Sequence, residues 1–244
     1  MARVLVTGSA DGLGQLAARA LADQGHQVVL HARSPERGRD ALREVPKAEH
    51  VITGDLSDLT ETLAVADAAN AFGRFDAVIH NAGAYQASAE TIFKVNVIAP
   101  YVLTCLIHRP GRLVYLSSGM HLQGRATPDT LQKAHARISY SDSKLLVLML
   151  CKAVARLWPT VCANAVDPGW VPTRMGGPGA PDNLQEGYET QVWLAVSAEP
   201  PAAVSGRYFH HRIEQRYHPQ ADDVTLQEAL LSRCHDLTGV LFPR

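Results

Sequence analysis

Tyr140 and Lys144 stand four residues apart at the head of an apolar run, so on a helix their side chains share a face and can reach a common atom. That pairing suits proton transfer. A free tyrosine titrates near ~10, and each unit of lowering is worth ~1.4 kcal/mol in favour of the phenolate. The Lys144 ammonium, with any second cation held nearby, is expected to bring Tyr140 towards the working range of a general acid and base. The same spacing also fits an amphipathic helix that shows both residues to solvent. Ser117 and Ser118 close a β-like run, where a hydroxyl can either hold a substrate oxygen or bond its own backbone in a turn. Asn96 lies inside the helical run F-K-V-N-V-I-A-P, a poor place for asparagine. It is either a buried amide with partners or a surface residue near a kink at Pro100.

A second constellation could hold an anion. V-T-G-S-A-D-G-L-G follows an apolar strand and opens a helix, with Gly8, Gly12 and Gly14 where backbone must turn tightly, and Ser9, Asp11 and Leu13 between them. Free N–H groups at the helix start and the helix dipole would then face a pyrophosphate. An ordinary β-to-α turn is the bland reading, but strand, turn and helix in register favour a dinucleotide. An acidic side chain after the second strand would select NAD by bonding the ribose hydroxyls, and this chain has Ala32 there with Arg33 next. The Arg33 fork can pair with the extra phosphate of NADP, so NADP(H) is expected over NAD(H), although the Asp11 carboxylate near the same phosphate opposes it. Asp55, with Leu56 beside it, would either accept from the adenine amino group or cap the helix near Ser57. Asn81, Ala82 and Gly83 end a fourth strand in small residues that permit a ligand beside the backbone, or make a plain turn.

The elements that must position these groups alternate along the whole chain. Short Val, Ile and Leu runs at Arg3–Thr7, Gln27–Ala32, His50–Gly54, Ala77–His80, Arg112–Ser117, Val161–Val166 and Arg207–His210 read as strands. Helical patterns occupy Leu13–Gln24, Pro35–Glu44, Leu59–Ala71, Ala89–Ile107, Tyr140–Leu157, Glu186–Ser197 and Thr225–Leu237. The expectation is an α/β chain of one domain over residues 1–244, a doubly wound parallel sheet of about seven strands with helices on both faces, the Rossmann arrangement. Gly119–Ile138 and Pro168–Leu184 interrupt the pattern, read as loops at the carboxyl edge of the sheet, and offer Met120, His121, Leu122, Trp170, Val171 and Met175 as a substrate wall. With 46% hydrophobic residues and a net charge of −1, a sizeable core is available and no electrostatic footprint for nucleic acid exists. The partner is expected to be a small, mainly apolar carbonyl or alcohol. Four dispersed cysteines have no metal-ligand spacing and read as reduced thiols, and a metal site built from His210, His211 and His218 lacks an acidic or cysteine pattern. No targeting segment or membrane-length apolar run is read from the chain, so a cytoplasmic, membrane-independent protein is expected.

In order and spacing these residues resemble the short-chain dehydrogenase/reductase family over nearly the whole chain. The resemblance rests on T-G-x-x-x-G-x-G at Thr7–Gly14, Asp55, N-A-G at Asn81–Gly83, Asn96, the paired serines and Y-x-x-x-K. It implies hydride transfer between a nicotinamide and a carbonyl or alcohol. Tyr140 would be the general acid/base, Lys144 would bind the nicotinamide ribose and lower the tyrosine pKa with help from the oxidised ring, Ser118 would position the carbonyl, and Asn96 would support a proton-relay water. Pro168 and Gly169 look like the segment beside the nicotinamide, with Val171 and Thr173 at its carboxamide and phosphates. The stretch from Pro178 through W-L-A, then S-G-R-Y-F and L-T-G, looks most like retinol-dehydrogenase-like and WW-domain-oxidoreductase-like members. The resemblance also suggests a homo-oligomer contact through the helices Ala89–Ile107 and Tyr140–Leu157, whose apolar residues cover more than one face. A non-catalytic NADP-binding regulator is the alternative, which loss of Tyr140 or Lys144 would have favoured.

Overall fold

Eight runs of β-branched and leucine-rich sequence form one sheet: β1 Arg3–Val6, β2 Gln27–Ala32, β3 His50–Thr53, β4 Ala77–His80, β5 Arg112–Leu116, β6 Cys162–Asp167, β7 Tyr208–His210 and β8 Ile213–Glu214. The computed structural model describes residues 1–244, the side chains of 133–136 excepted. Strand order is β3-β2-β1-β4-β5-β6-β7-β8, parallel as far as β7, with β8 antiparallel on its edge. Order reverses at β1, between β2 and β4, which is the switch point where open α/β sheets bind ligands. The strands are apolar almost throughout because both faces are covered. Leu5, Val29, Val78 and Leu113 enter one core, while Val4, Val6, Leu30, Ile79 and Val114 enter the other.

Nine helices cover the faces among the described residues: α1 Gly12–Asp23, α2 Pro35–Glu44, α3 Leu59–Asn70, α4 Ala89–Phe93, α5 Ala99–Leu106, α6 Pro128–Arg137, α7 Tyr140–Leu157, α8 Leu184–Val196 and α9 Val224–Thr238. Their starts are set by caps. Ser34, Asp58, Ser88, Asn183 and Asp223 each accept a first-turn N–H, and Ser139 forms a reciprocal capping box with Asp142 that fixes where α7, and so Tyr140, begins.

Four expectations change. The helix read as continuous over Ala89–Ile107 carries a π-turn at Lys94–Ile98, because Pro100 has no N–H for the Asn96 carbonyl and the ladder slips by one residue. Gly119–Ile138 is not an irregular loop: it holds a 3₁₀ turn at Gly119–Gln123 and then α6, whose Thr130 N–H bonds the Thr127 hydroxyl ahead of Pro128. A membrane-length apolar stretch does exist, at Ala89–Leu106 with mean hydropathy 1.3, but 61% of it is buried inside the protein. The apolar surface of α5 and α7 is met within the chain. Tyr101 bonds Val240 O, the Trp158 indole bonds Pro243 O, Phe242 stacks on Trp158, and α9 lies along α7. That burial therefore carries no argument for a second copy.

Two histidines stand inside strands, where a charge would be costly. His80 in β4 stacks on Tyr115, shares one hydrogen bond with Thr104 and leaves Nδ1 without a partner, and burial pushes its pKa down to about 3. His31 in β2 is pushed down to about 4, again chiefly by burial. In the unfolded chain both would titrate near ~6.5. The unfolded state therefore takes up protons that the fold refuses, and stability that is complete above about pH 6.5 declines as the pH falls towards these folded values. At pH 5 we expect a loss of about 2 kcal/mol per histidine, read as a lower urea midpoint than at pH 7. His80→Phe should remove about half of that difference, and equal midpoints at the two pH values would contradict the account.

Candidate active site

The turn between β1 and α1 is gripped from both neighbouring strands. From β2, the His31 ring accepts the Gly8 N–H on Nδ1 at 3.0 Å, so its proton sits on Nε2 and is donated to Gly54 O at 3.0 Å. Past the end of β4, Asn81 Nδ2 donates to the carbonyls of Thr7 and Gly8 at 2.9 and 3.1 Å, while Ala82 N–H bonds the Thr7 hydroxyl at 3.1 Å. This closeness requires glycine: Gly8 has φ +62°, and a Cβ there would lie 2.8 Å from Ala82 Cα. A Cβ on Gly14 would strike the Asn81 amide. Ser9 is fully buried, and its hydroxyl and N–H are both spent on the His31 backbone, so it shapes the turn rather than offering a donor to a ligand. Asp11 stands at the N-cap of α1 without capping it. Its carboxylate turns outward to Arg37 at 2.6 Å, with Arg174 at 3.8 Å, which offsets its charge and leaves the N–H groups of Gly12, Leu13 and Gly14 for an anion.

Arg33 follows β2, is exposed, and has no hydrogen bond or ion pair among the described residues. Asp55 accepts from the Ser57 N–H and hydroxyl at 2.8 Å each, and it is Asp58 that caps α3. Leu56 beside it is buried in the core under α3. Past β6, Pro168 and Gly169, with φ +80°, lead into a segment that lies over the glycine turn. The Thr173 methyl is 3.8 Å from the Cβ position of Gly12, whereas Val171 is buried against Gly187 of α8. Among the described residues no group of three metal-capable side chains converges.

The groups expected to transfer a proton meet at the same edge. Lys144 Nζ sits 5.4 Å from the centre of the Tyr140 ring, donates to Leu116 O at 2.7 Å, and is 3.6 Å from where a Gly83 Cβ would stand. The Ser118 hydroxyl is near enough to the Tyr140 phenol to pull its pKa down, and the Ser118 backbone carbonyl takes the His121 Nδ1–H at 2.7 Å. His121, expected on the substrate wall, is instead fully buried, with Nε2 accepting the His218 N–H at 3.1 Å; it is a support for Ser118. Asn96 is buried as well. Its Oδ1 accepts Ala84 N–H at 2.7 Å and its Nδ2 donates to Ala84 O and to the Ser143 hydroxyl at 3.0 and 2.9 Å. Ser143 in turn donates to Tyr140 O, so the π-turn is bound to both the Gly83–Ala84 segment and the start of α7.

The electrostatics differ from the expectation that Lys144 lowers the tyrosine. Burial pushes Tyr140 up to about 12, with the Asp167 carboxylate and Tyr85 pushing the same way and the Ser118 bond opposing them. Burial also pulls Lys144 down to about 8, against the pull of Asp167. The Lys144 ammonium is hydrogen-bonded to Leu116 O, with no hydrogen bond to the phenol oxygen among the described residues. Sequence reasoning missed His31, Tyr85, Ser143 and Asp167. A histidine inside an apolar strand was the one readable signal among them.

Similarity to known proteins agrees with this geometry. The family model described as short chain dehydrogenase matches residues 2–183. An uncharacterized oxidoreductase of Emericella nidulans is 41% identical over 100% of this chain and 99% of its own length. A solved structure of an uncharacterized protein from Mycobacterium paratuberculosis superposes with a TM-score of 0.82 at 25% identity, covering 100% of this chain and 96% of that one. A variant of actinorhodin polyketide ketoreductase, solved with NADPH, has the same fold with a TM-score of 0.70 at 23% identity, covering 85% of this chain and 94% of that one. The chain belongs to the short-chain dehydrogenase/reductase family of oxidoreductases.

Proposed function

We propose that the chain reduces a carbonyl, and oxidises the corresponding alcohol, with NADP(H), Tyr140 serving as general acid and base. One observation carries the reading: the Tyr140 phenol, the Ser118 hydroxyl and the buried Lys144 ammonium meet at the carboxyl edge of the sheet beside a turn built to receive an anion. Bound NADPH would supply the hydride. Ser118 and Tyr140 would hold the substrate oxygen, and Tyr140, protonated at neutral pH, would pass its proton to that oxygen during reduction. Lys144 would bond the ribose beside the nicotinamide. The Asn96 carbonyl, which Pro100 cannot serve, would take the water that returns a proton to Tyr140.

Preference for NADP(H) is supported by Arg33, which is exposed and has no ion pair among the described residues, by the lack of an acidic residue at Ala32, and by the pairing of Asp11 with Arg37. The NADPH complex of the actinorhodin ketoreductase is consistent with it. Exposed Met120, Leu122, Trp170 and Met175 support an apolar wall for the substrate. The intact set of Ser118, Tyr140 and Lys144 speaks against a purely regulatory cofactor binder. NADPH consumption against a panel of aldehydes, ketones and quinones, with NADH alongside, tests reaction class and cofactor together.

With any substrate so found, Tyr140→Phe should lower turnover by at least about two orders of magnitude while the NADPH affinity from titration stays within a fewfold. Near-parental turnover would remove Tyr140 from the chemistry.

Lys144 gives a paired outcome. Its folded pKa of about 8 lies below the ordinary ~10.4, so the fold disfavours the charged form, and this cost is present at neutral pH and disappears as the pH rises from about 8 towards the unfolded value. Lys144→Met should therefore stabilise the protein at pH 7 by about 1–3 kcal/mol while nearly abolishing activity. In the parent, carbonyl reduction should decline above about pH 8 as the ammonium is lost. A destabilised Met variant, or an alkaline limb unmoved from that of a Lys144→Arg variant, would count against this balance.

Arg33→Ala should weaken NADPH by tenfold or more, the worth of a charge-assisted bond of about 1.5–3 kcal/mol, and NADH by much less. Equal losses for the two cofactors would reject the phosphate contact.

A further inference from the structure

Asp167 at the end of β6 has no part in the reaction as described, yet it lies in the middle of the site. Its Oδ2 is 3.0 Å from where a Cβ on Gly119 would stand, one residue past Ser118, and its charge bears on Tyr140, Lys144 and His121. The carboxylate is only 17% exposed. One oxygen, Oδ1, accepts the Gly169 N–H at 3.0 Å. The other has His210 Nδ1 at 3.7 Å, beyond hydrogen-bond distance, and that nitrogen is already engaged with Asp167 O at 3.2 Å. No lysine or arginine lies within 4 Å of the carboxylate among the described residues. Beside it the Tyr208 hydroxyl is buried, with the residue 2% exposed, and completes no hydrogen bond of ordinary geometry. A partly buried carboxylate with no cation within 4 Å is costly unless something else comes to it, and the Tyr208 hydroxyl, its neighbour, does not neutralise it.

We propose that Asp167, with the Tyr208 hydroxyl and the His210 ring at its side, anchors a cationic nitrogen of the substrate close to the reacting oxygen. The proposal rests on the carbonyl-reductase reading and narrows it to carbonyl compounds with an apolar body and one positive group. Each surrounding element fits that occupant. The Lys144 ammonium is tied back to Leu116 O, and the imidazole of His121, which burial keeps below its ordinary pKa, adds no competing charge. His210 is held in place by a two-residue hairpin turn in which His211 and Arg212 both have positive φ, of 49° and 62°, a conformation costly for such residues. That turn is secured from α8, where Arg212 N–H bonds the Thr190 hydroxyl at 3.0 Å and the Arg212 guanidinium bonds Glu189 at 3.1 Å. The Tyr140 ring, which feels the Asp167 charge, packs edge-on against Tyr85 at 4.8 Å, and such aromatic faces favour a cation over a bare alkyl group.

The test uses an isosteric pair, (2-oxopropyl)trimethylammonium and 4,4-dimethyl-2-pentanone, which differ only in a charged nitrogen for a carbon. Binding to the full-length protein is measured by isothermal titration calorimetry with and without NADPH, and turnover is followed separately. The parent should bind the charged ketone at least tenfold more tightly than the neutral one. Asp167→Asn should bring that ratio close to one, and Asp167→Glu should keep part of it, with unchanged NADPH affinity certifying both folds. Equal affinities in the parent, or an undiminished ratio in Asp167→Asn, would overturn the anchor. A charge preference without any NADPH oxidation would uphold the anchor and refute the carbonyl-reductase reading instead.

Discussion

Three parallel strands end around the Thr7–Gly14 turn, and everything at the site depends on how that turn is held. A β-to-α turn has more N–H and C=O groups than partners. Here the first of them are satisfied from the sides, by the His31 ring, by the Ser9 hydroxyl through the β2 backbone, and by the Asn81 amide. The donors at the start of α1 are left over because Asp11, which could have capped them, is drawn outward by Arg37. The same approach of backbones brings Ala82 against Gly8 and Gly83 against Lys144 and Asn96, so the glycine turn and the Tyr140–Lys144 pair, the two candidate sites, share one floor. A side chain at Gly8 or Gly14 would separate the two sites as well as block the turn.

Most of this floor is legible in the residues. Strand runs in which both faces are buried are continuous in Val, Ile and Leu, and β2, β4, α2 and α7 have the bounds that the pattern gives, because caps and apolar runs coincide there. The site set of Ser118, Tyr140, Lys144, Asn96 and the glycine turn is brought together as their order along alternating strands requires. What is not legible has physical causes. The hairpin that adds β8 turns on His211 and Arg212, whereas such turns ordinarily announce themselves with Asn or Gly. The π-turn depends on one missing N–H at Pro100, which reads equally well as a kink. The helix α6 begins with Thr127-Pro128-Asp129, a usable start signal that the surrounding polar residues obscured. Asp167 gave no sign at all, since its partners come from β7 and from the turn after β5, both remote in sequence.

The charges at the site oppose the simplest account of a tyrosine base. A phenolate is favoured by a wet environment, and Tyr140 lacks one: burial comes first among the causes that raise it and Asp167 second, while the Lys144 ammonium, 5.4 Å from the ring centre, is hydrogen-bonded to Leu116 O. Asp167 acts in the same sense on both groups, since a negative charge holds the proton on Tyr140 and the proton on Lys144. With its pKa raised, Tyr140 stays protonated at neutral pH and gives its proton up less readily than a free tyrosine, while burial makes Lys144 the better proton donor of the two. In a carbonyl reduction an acid such as Tyr140 would hold its proton until hydride arrives and negative charge grows on the substrate oxygen. Oxidation would need the opposite bias, and the positive nicotinamide of the oxidised cofactor is the group that could supply it. The charge of the bound cofactor would therefore set how strongly Tyr140 holds its proton.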